Sequence, residues 1–131
     1  MKYFLFILLI LFSVSSCKKN KEEIVINNGL VGKWKLVKSG IGIGGGGGYI
    51  DADPAKPEII EFKLDSTFTA NQHSIYLNTF TGYKLINSSE IFFLPNNIAN
   101  RNWAYSINNG AILKLYMPCI EACILEYKAI K

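Results

Sequence analysis

The chain is predicted to be all-β, an antiparallel up-and-down meander that closes into a barrel of about eight strands. Three observations carry that expectation. Between residues 32 and 130, short segments repeatedly alternate apolar and polar side chains, the period-2 pattern of a strand with one buried face. Clusters of Asn, Asp, Ser and Gly separate these segments, and these residue types suit tight turns. No long stretch has the periodicity of an amphipathic helix. Closure is expected because an open meander leaves unpaired strand edges that invite aggregation.

The meander begins only after an N-terminal segment of different character. Met1 and Lys2 give a short basic start, residues 3–12 form an unbroken apolar run, and Ser13, Val14, Ser15 and Ser16 follow. Charge, apolar core and small residues in that order make a secretory signal. The run is too short to span a bilayer, which needs about 20 apolar residues. Val14-Ser15-Ser16-Cys17 resembles a bacterial lipobox. That resemblance implies cleavage before Cys17, diacylglycerol on its thiol and acylation of the new amine. Two or more acyl chains, at about 0.8 kcal/mol per buried CH₂, anchor a protein stably. Residues 1–16 are therefore expected to be a cleaved lipoprotein signal peptide. Residues 17–28 are expected to be the lipidated Cys17 and a flexible, charged tether. Lys21-Glu22-Glu23 resembles the short signals that send some Gram-negative lipoproteins to the cell surface.

Residues 29–131 remain for one domain. Trp34 and Leu36 alternate with Lys33, Lys35 and Val37 in the first strand. Residues 40–48 are almost all glycine, and the entropy cost of ordering them predicts a mobile flap. They are not a phosphate loop, because Tyr49, Ile50 and Asp51 stand where Lys and Ser/Thr would be needed. The loop is expected to continue through Asp51, Asp53, Pro54 and Pro57, without the ligand spacing of a calcium loop.

The second strand spans residues 58–64, with Ile60, Phe62 and Leu64 on one face. Asp65, Ser66 and Thr67 turn it into a returning strand at Phe68. Residues 71–78 fit either a strand or a loop and contain His73, the only histidine. Residues 79–85 are expected to be a strand bent at Gly82, with Tyr83 and Leu85 sharing a face. Residues 90–94 are an apolar run suited to a strand buried on both faces or at a barrel edge, and residues 95–102 form a polar loop. Trp103, Tyr105 and Ile107 then alternate, Asn109-Gly110 gives the strongest short hairpin signal, and Leu113, Leu115 and Met117 align on the way back. After Pro118 the pair Cys119 and Cys123 makes a corner, and Leu125, Tyr127 and Ala129 share a face of the last strand.

With Cys17 lipidated, Cys119 and Cys123 are an even pair in an oxidising compartment, which predicts a disulfide. A metal site would need more ligands than these and His73 supply. The formal net charge is +4, or +3 once Lys2 leaves with the signal. The lysines are scattered rather than striped, which argues against nucleic acid.

Leu30, Gly32 and Trp34 at the start of the domain, Phe62, Asp65 and Phe68 around the first hairpin, and Cys119, Glu121 and Cys123 near the end together resemble the lipocalins. The likeness is closest to the small lipocalin-like lipoproteins of Gram-negative bacteria. It implies a lipocalin-like barrel opened by Gly32 and Trp34, with a small hydrophobic molecule held inside. Two features depart from that pattern: the only arginine is Arg101 rather than one near the chain end, and no helical pattern follows the last strand.

The expected protein is thus a lipid-anchored cell-envelope protein of the outer membrane, periplasmic or surface-exposed, whose barrel binds a small hydrophobic ligand. Tyr83, Trp103, Tyr105 and Tyr116 are the candidates to line the interior or its mouth, with Trp34 in the core. The alternative is a solid barrel whose loops meet an envelope protein partner. No enzyme is expected: no Ser/His/Asp arrangement, metal set, cofactor motif or acid–base partner for Asp51 and Asp53 is present in the sequence.

Overall fold

The computed structural model describes residues 29–41, 48–95, 101–120 and 123–131. The stretches expected to be signal peptide and tether, with Cys17, fall outside the described residues, as do most of the glycine tract, the middle of the 95–102 loop and Glu121. Among the described residues there are nine strands and no helix: β1 Gly32–Ile41, β2 Tyr49–Asp51, β3 Ile59–Phe62, β4 Phe68–Ala70, β5 Gly82–Asn87, β6 Glu90–Leu94, β7 Trp103–Asn108, β8 Ile112–Met117 and β9 Cys123–Ile130. All pairings are antiparallel.

The sheet runs β4-β3-β1-β9-β8-β7-β6-β5, with β2 also beside β1. β3 pairs with the first half of β1, Trp34 opposite Ile60, and β2 pairs with the second half, Lys38 opposite Asp51. The two short strands thus share one place, so nine strands fill eight positions of a meander. The β1–β9 ladder closes it, running from Lys33 opposite Ile130 to Ile41 opposite Cys123. The remaining seam, between β4 and β5, is held by a single bridge, Thr67 to Gly82. Backbone bonds from Phe68 to Thr81 and from Tyr83 to Ser66, both 3.0 Å, flank it. The result is a nearly closed antiparallel barrel, consistent with a lipocalin-like fold.

The turn chemistry holds. Asn109 and Gly110 both have positive φ, 53° and 63°, the pair of left-handed residues that a two-residue hairpin of matching twist needs. In the first hairpin Ser66 takes φ 65° and Asp65 Oδ1 accepts the Thr67 amide at 2.9 Å. That bond holds the Asp65 carboxyl below its ordinary pKa. Gly82 sits where a Cβ would lie 3.3 Å from the Ser66 carbonyl, so the seam closes over a residue without a side chain.

Several expectations are corrected. Residues 49–51 leave the loop and pair with β1 as β2, because β1 runs on to Ile41, into the stretch expected to be a glycine-rich flap. Leu64 faces solvent, 89% exposed, because β3 ends at Phe62 and the turn has already begun. Leu85 does not share the burial of Tyr83: beyond the Thr67–Gly82 bridge, β5 pairs with no described strand on that side, and Leu85 and Ile86 are exposed. β6 buries one face only, Ile91 and Phe93, with Phe92 half-exposed. Of the two readings open for residues 71–78 the structure takes the loop, tucked in by fully buried Ser74 and Leu77, and the strand expected from residue 79 begins only at Gly82.

Candidate functional site

The barrel interior divides into an aromatic part and a mouth. Phe62, Phe68, Phe80, Tyr83, Phe93 and Trp103 contact one another with ring centroids 4.9 to 6.4 Å apart, several edge-to-face. Such contacts add about 0.5–1.5 kcal/mol per pair to the area buried. Trp34 is fully buried between Ile60 on β3 and Ala129 on β9, a large ring facing a small residue. Its indole N–H donates to the Leu30 carbonyl at 2.8 Å, so its one polar group is satisfied. Trp34 is core, and Gly32 begins its strand at φ 139°, a conformation that L side chains rarely adopt.

Of the residues expected to line a ligand, Tyr83 and Trp103 belong to the aromatic cluster and are nearly buried. The Tyr83 hydroxyl donates to the Lys63 carbonyl at 2.8 Å. Burial, with Asp65 and Tyr105 nearby, raises its pKa. Tyr105 packs half-buried against the same core. Tyr116 lies opposite exposed Ala104 and is itself exposed, which keeps it on the outer face. Cys119 and Cys123 form a disulfide with Cα atoms 6.1 Å apart, stapling the corner between β8 and β9.

The described mouth is an open cleft of about 380 Å³, inside the roughly 300–1,000 Å³ range of small-molecule sites. β1 supplies Leu36 and Ser39, β2 supplies Asp51, the β2–β3 connection supplies Asp53, Lys56 and Glu58, and the β4–β5 loop supplies His73 and Ile75. None of the four aromatic candidates lines it.

The local sequence shapes this mouth. The strand register shifts between Leu36 and Lys38 on β1, a bulge of the kind that bends a strand at a barrel rim. Asn71 ties the β4–β5 loop to the start of β3. Its Oδ1 accepts the Ile59 amide at 3.2 Å and its Nδ2 donates to the Pro57 carbonyl at 2.7 Å. Asp53 Oδ1 accepts the Ala55 amide at 2.8 Å, which sets the turn on the facing side.

Glu58 was missed as a site residue. It is only 6% exposed, and its Oε1 accepts two hydroxyls, from Tyr127 at 2.5 Å and from Ser74 at 3.0 Å. Burying a carboxylate is costly unless it is hydrogen-bonded, and the two donors offset that cost at Oε1. Burial first, and then the Glu58 charge and its hydrogen bond, raise the Tyr127 pKa well above the ordinary tyrosine value. The signal was available: Glu58 has the same period-2 parity as inward-facing Ile60 and Phe62. The partner Ser74, sixteen residues away in a loop, carried no such signal.

The cleft carries an apolar wall, three carboxylates, one lysine and one histidine. Among the described residues no three His, Cys, Asp or Glu side chains converge on a metal position. The cleft presents an apolar wall beside one buried carboxylate that two hydroxyls hold in place. No family model matches the chain, and comparison with curated proteins and with solved structures likewise returns no match.

Proposed function

We propose that this is a lipid-anchored protein of the cell envelope, held to the outer membrane through Cys17, whose lipocalin-like barrel binds one small molecule with an apolar body. The reading of location rests on the basic start, the apolar run and Val14-Ser15-Ser16-Cys17. The observation that carries the binding role is the cleft at the barrel mouth, where Leu36 and Ile75 flank buried Glu58. Concave sites that combine apolar walls with a few placed polar groups are the usual form of small-ligand sites. The ligand in this reading sits at the mouth, because the aromatic rings already occupy one another's contact surfaces inside.

A second reading has its own observation. Ile50, Leu64, Ile75 and Ile120 expose most of their surface on turns, loops and a short edge strand, which suits contact with an envelope protein. Native mass spectrometry of the full-length protein, extracted gently from its own envelope, separates the two. A bound small mass that leaves on unfolding, and that Ile75→Arg diminishes, supports the cleft. A bare protein mass with no uptake from a lipid and metabolite mixture overturns it and favours the loops.

A further inference from the structure

We propose that the mouth cleft selects a small organic cation, an amine or guanidinium attached to an apolar body, with Glu58 as its counter-ion. The proposal rests on the cleft being a ligand site and names the ligand's charge.

The argument starts from how Glu58 is held. Both hydroxyl donors, Tyr127 and Ser74, converge on Oε1. Oε2 takes no hydrogen bond from any described residue, although Glu58 is only 6% exposed and lines the cleft. A buried carboxylate oxygen without a donor is expensive, and an N⁺–H donor satisfies it better than a neutral one. Lys56 does not serve: it is exposed and forms no ion pair with a described residue.

The surroundings agree on sign. Asp51 and Asp53 line the same opening as Glu58, so three carboxylates share it with one lysine and one histidine. Such an opening favours arrival of a cation and disfavours a carboxylate or phosphate. Leu36, Ala52 and Ile75 give the apolar body a surface. A hard divalent ion is the poorer match, because calcium takes about 6–8 oxygens and no ligand set converges here among the described residues. One ammonium or guanidinium group needs only one well-placed carboxylate.

The test uses the full-length protein and three probes with the same apolar body: phenethylamine, phenethyl alcohol and 3-phenylpropionate. Titration calorimetry, with saturation-transfer NMR for weak binding, reads the affinities. The expected order is amine tighter than alcohol by tenfold or more, with the carboxylate not bound. Glu58→Gln, which can still accept the two hydroxyls, should erase the amine's advantage over the alcohol. Ile75→Arg, at a site already exposed, should block all binding while the protein stays folded. Equal binding of amine and alcohol, unmoved by Glu58→Gln, would overturn the cation and leave the cleft standing. No binding of any probe would overturn both.

Discussion

Tyr127→Phe isolates one hydrogen bond inside the barrel. The phenol donates to Glu58 Oε1 at 2.5 Å, and both side chains are buried. Phenylalanine keeps the ring, so no large cavity opens and the change is confined to the hydroxyl. Hydrogen bonds to charged groups contribute about 1.5–3 kcal/mol, and a low-dielectric site places this one in the upper part of that range. Ser74 still donates at 3.0 Å, so Glu58 is weakened rather than orphaned. The expected loss is about 2 kcal/mol. For a domain near 100 residues, where 1 kcal/mol moves the midpoint by about 4–8 °C, Tm falls by roughly 8–16 °C.

Chemical denaturation of the wild type, Tyr127→Phe, Glu58→Gln and the double variant should give a coupling energy above about 1 kcal/mol. The pH dependence is the second readout. An unfolded tyrosine loses its proton near pH ~10, whereas the folded Tyr127 keeps its proton to higher pH. A raised folded pKa gives stability that is whole below the unfolded value and lost as pH rises through the folded one. The wild type's advantage over Tyr127→Phe should therefore shrink above about pH 10. A loss under about 0.5 kcal/mol, with parallel pH curves, would refute the reasoning that this bond supports the mouth.

Three further outcomes are expected. Trp34→Ala removes the largest fully buried side chain and should cost on the order of 3–5 kcal/mol in equilibrium unfolding, a near-neutral result placing the ring outside the core. Cys119 and Cys123 should resist alkylation until reductant is added, since they are joined; ready labelling of the untreated protein would contradict that. Cys17→Ala should move the protein from the membrane pellet to the soluble fraction, and a variant that still pellets with membranes would refute the lipid anchor.

Much of the fold was legible because strands announce themselves locally. Period-2 alternation identified β3, β7, β8 and β9 and their inward residues Ile60, Trp103, Leu113, Leu115, Leu125 and Tyr127. Asn109-Gly110 named its turn because few other pairs accept two positive φ angles. Alternation misled where a strand stops early or pairs with a described strand on one side only, as at Leu64 and Leu85. The pattern records which side a residue would face, not how long its neighbour lasts. β2 was hidden for a related reason: three residues after a glycine tract hold little pattern, and β1 alone recruits them.

The amino-acid sequence by itself determined the all-β class, the meander order, the turn positions, the core role of Trp34 and the Cys119 and Cys123 pairing, since each depends on neighbours in the chain or on residue chemistry alone. Tertiary structure decided where the site is. Glu58, Ser74 and Tyr127 meet across 16 and 69 residues of sequence separation, and the mouth assembles from three separate stretches of chain. A buried polar cluster depends on which strands become neighbours when the β1–β9 ladder closes, and no local pattern encodes that distance.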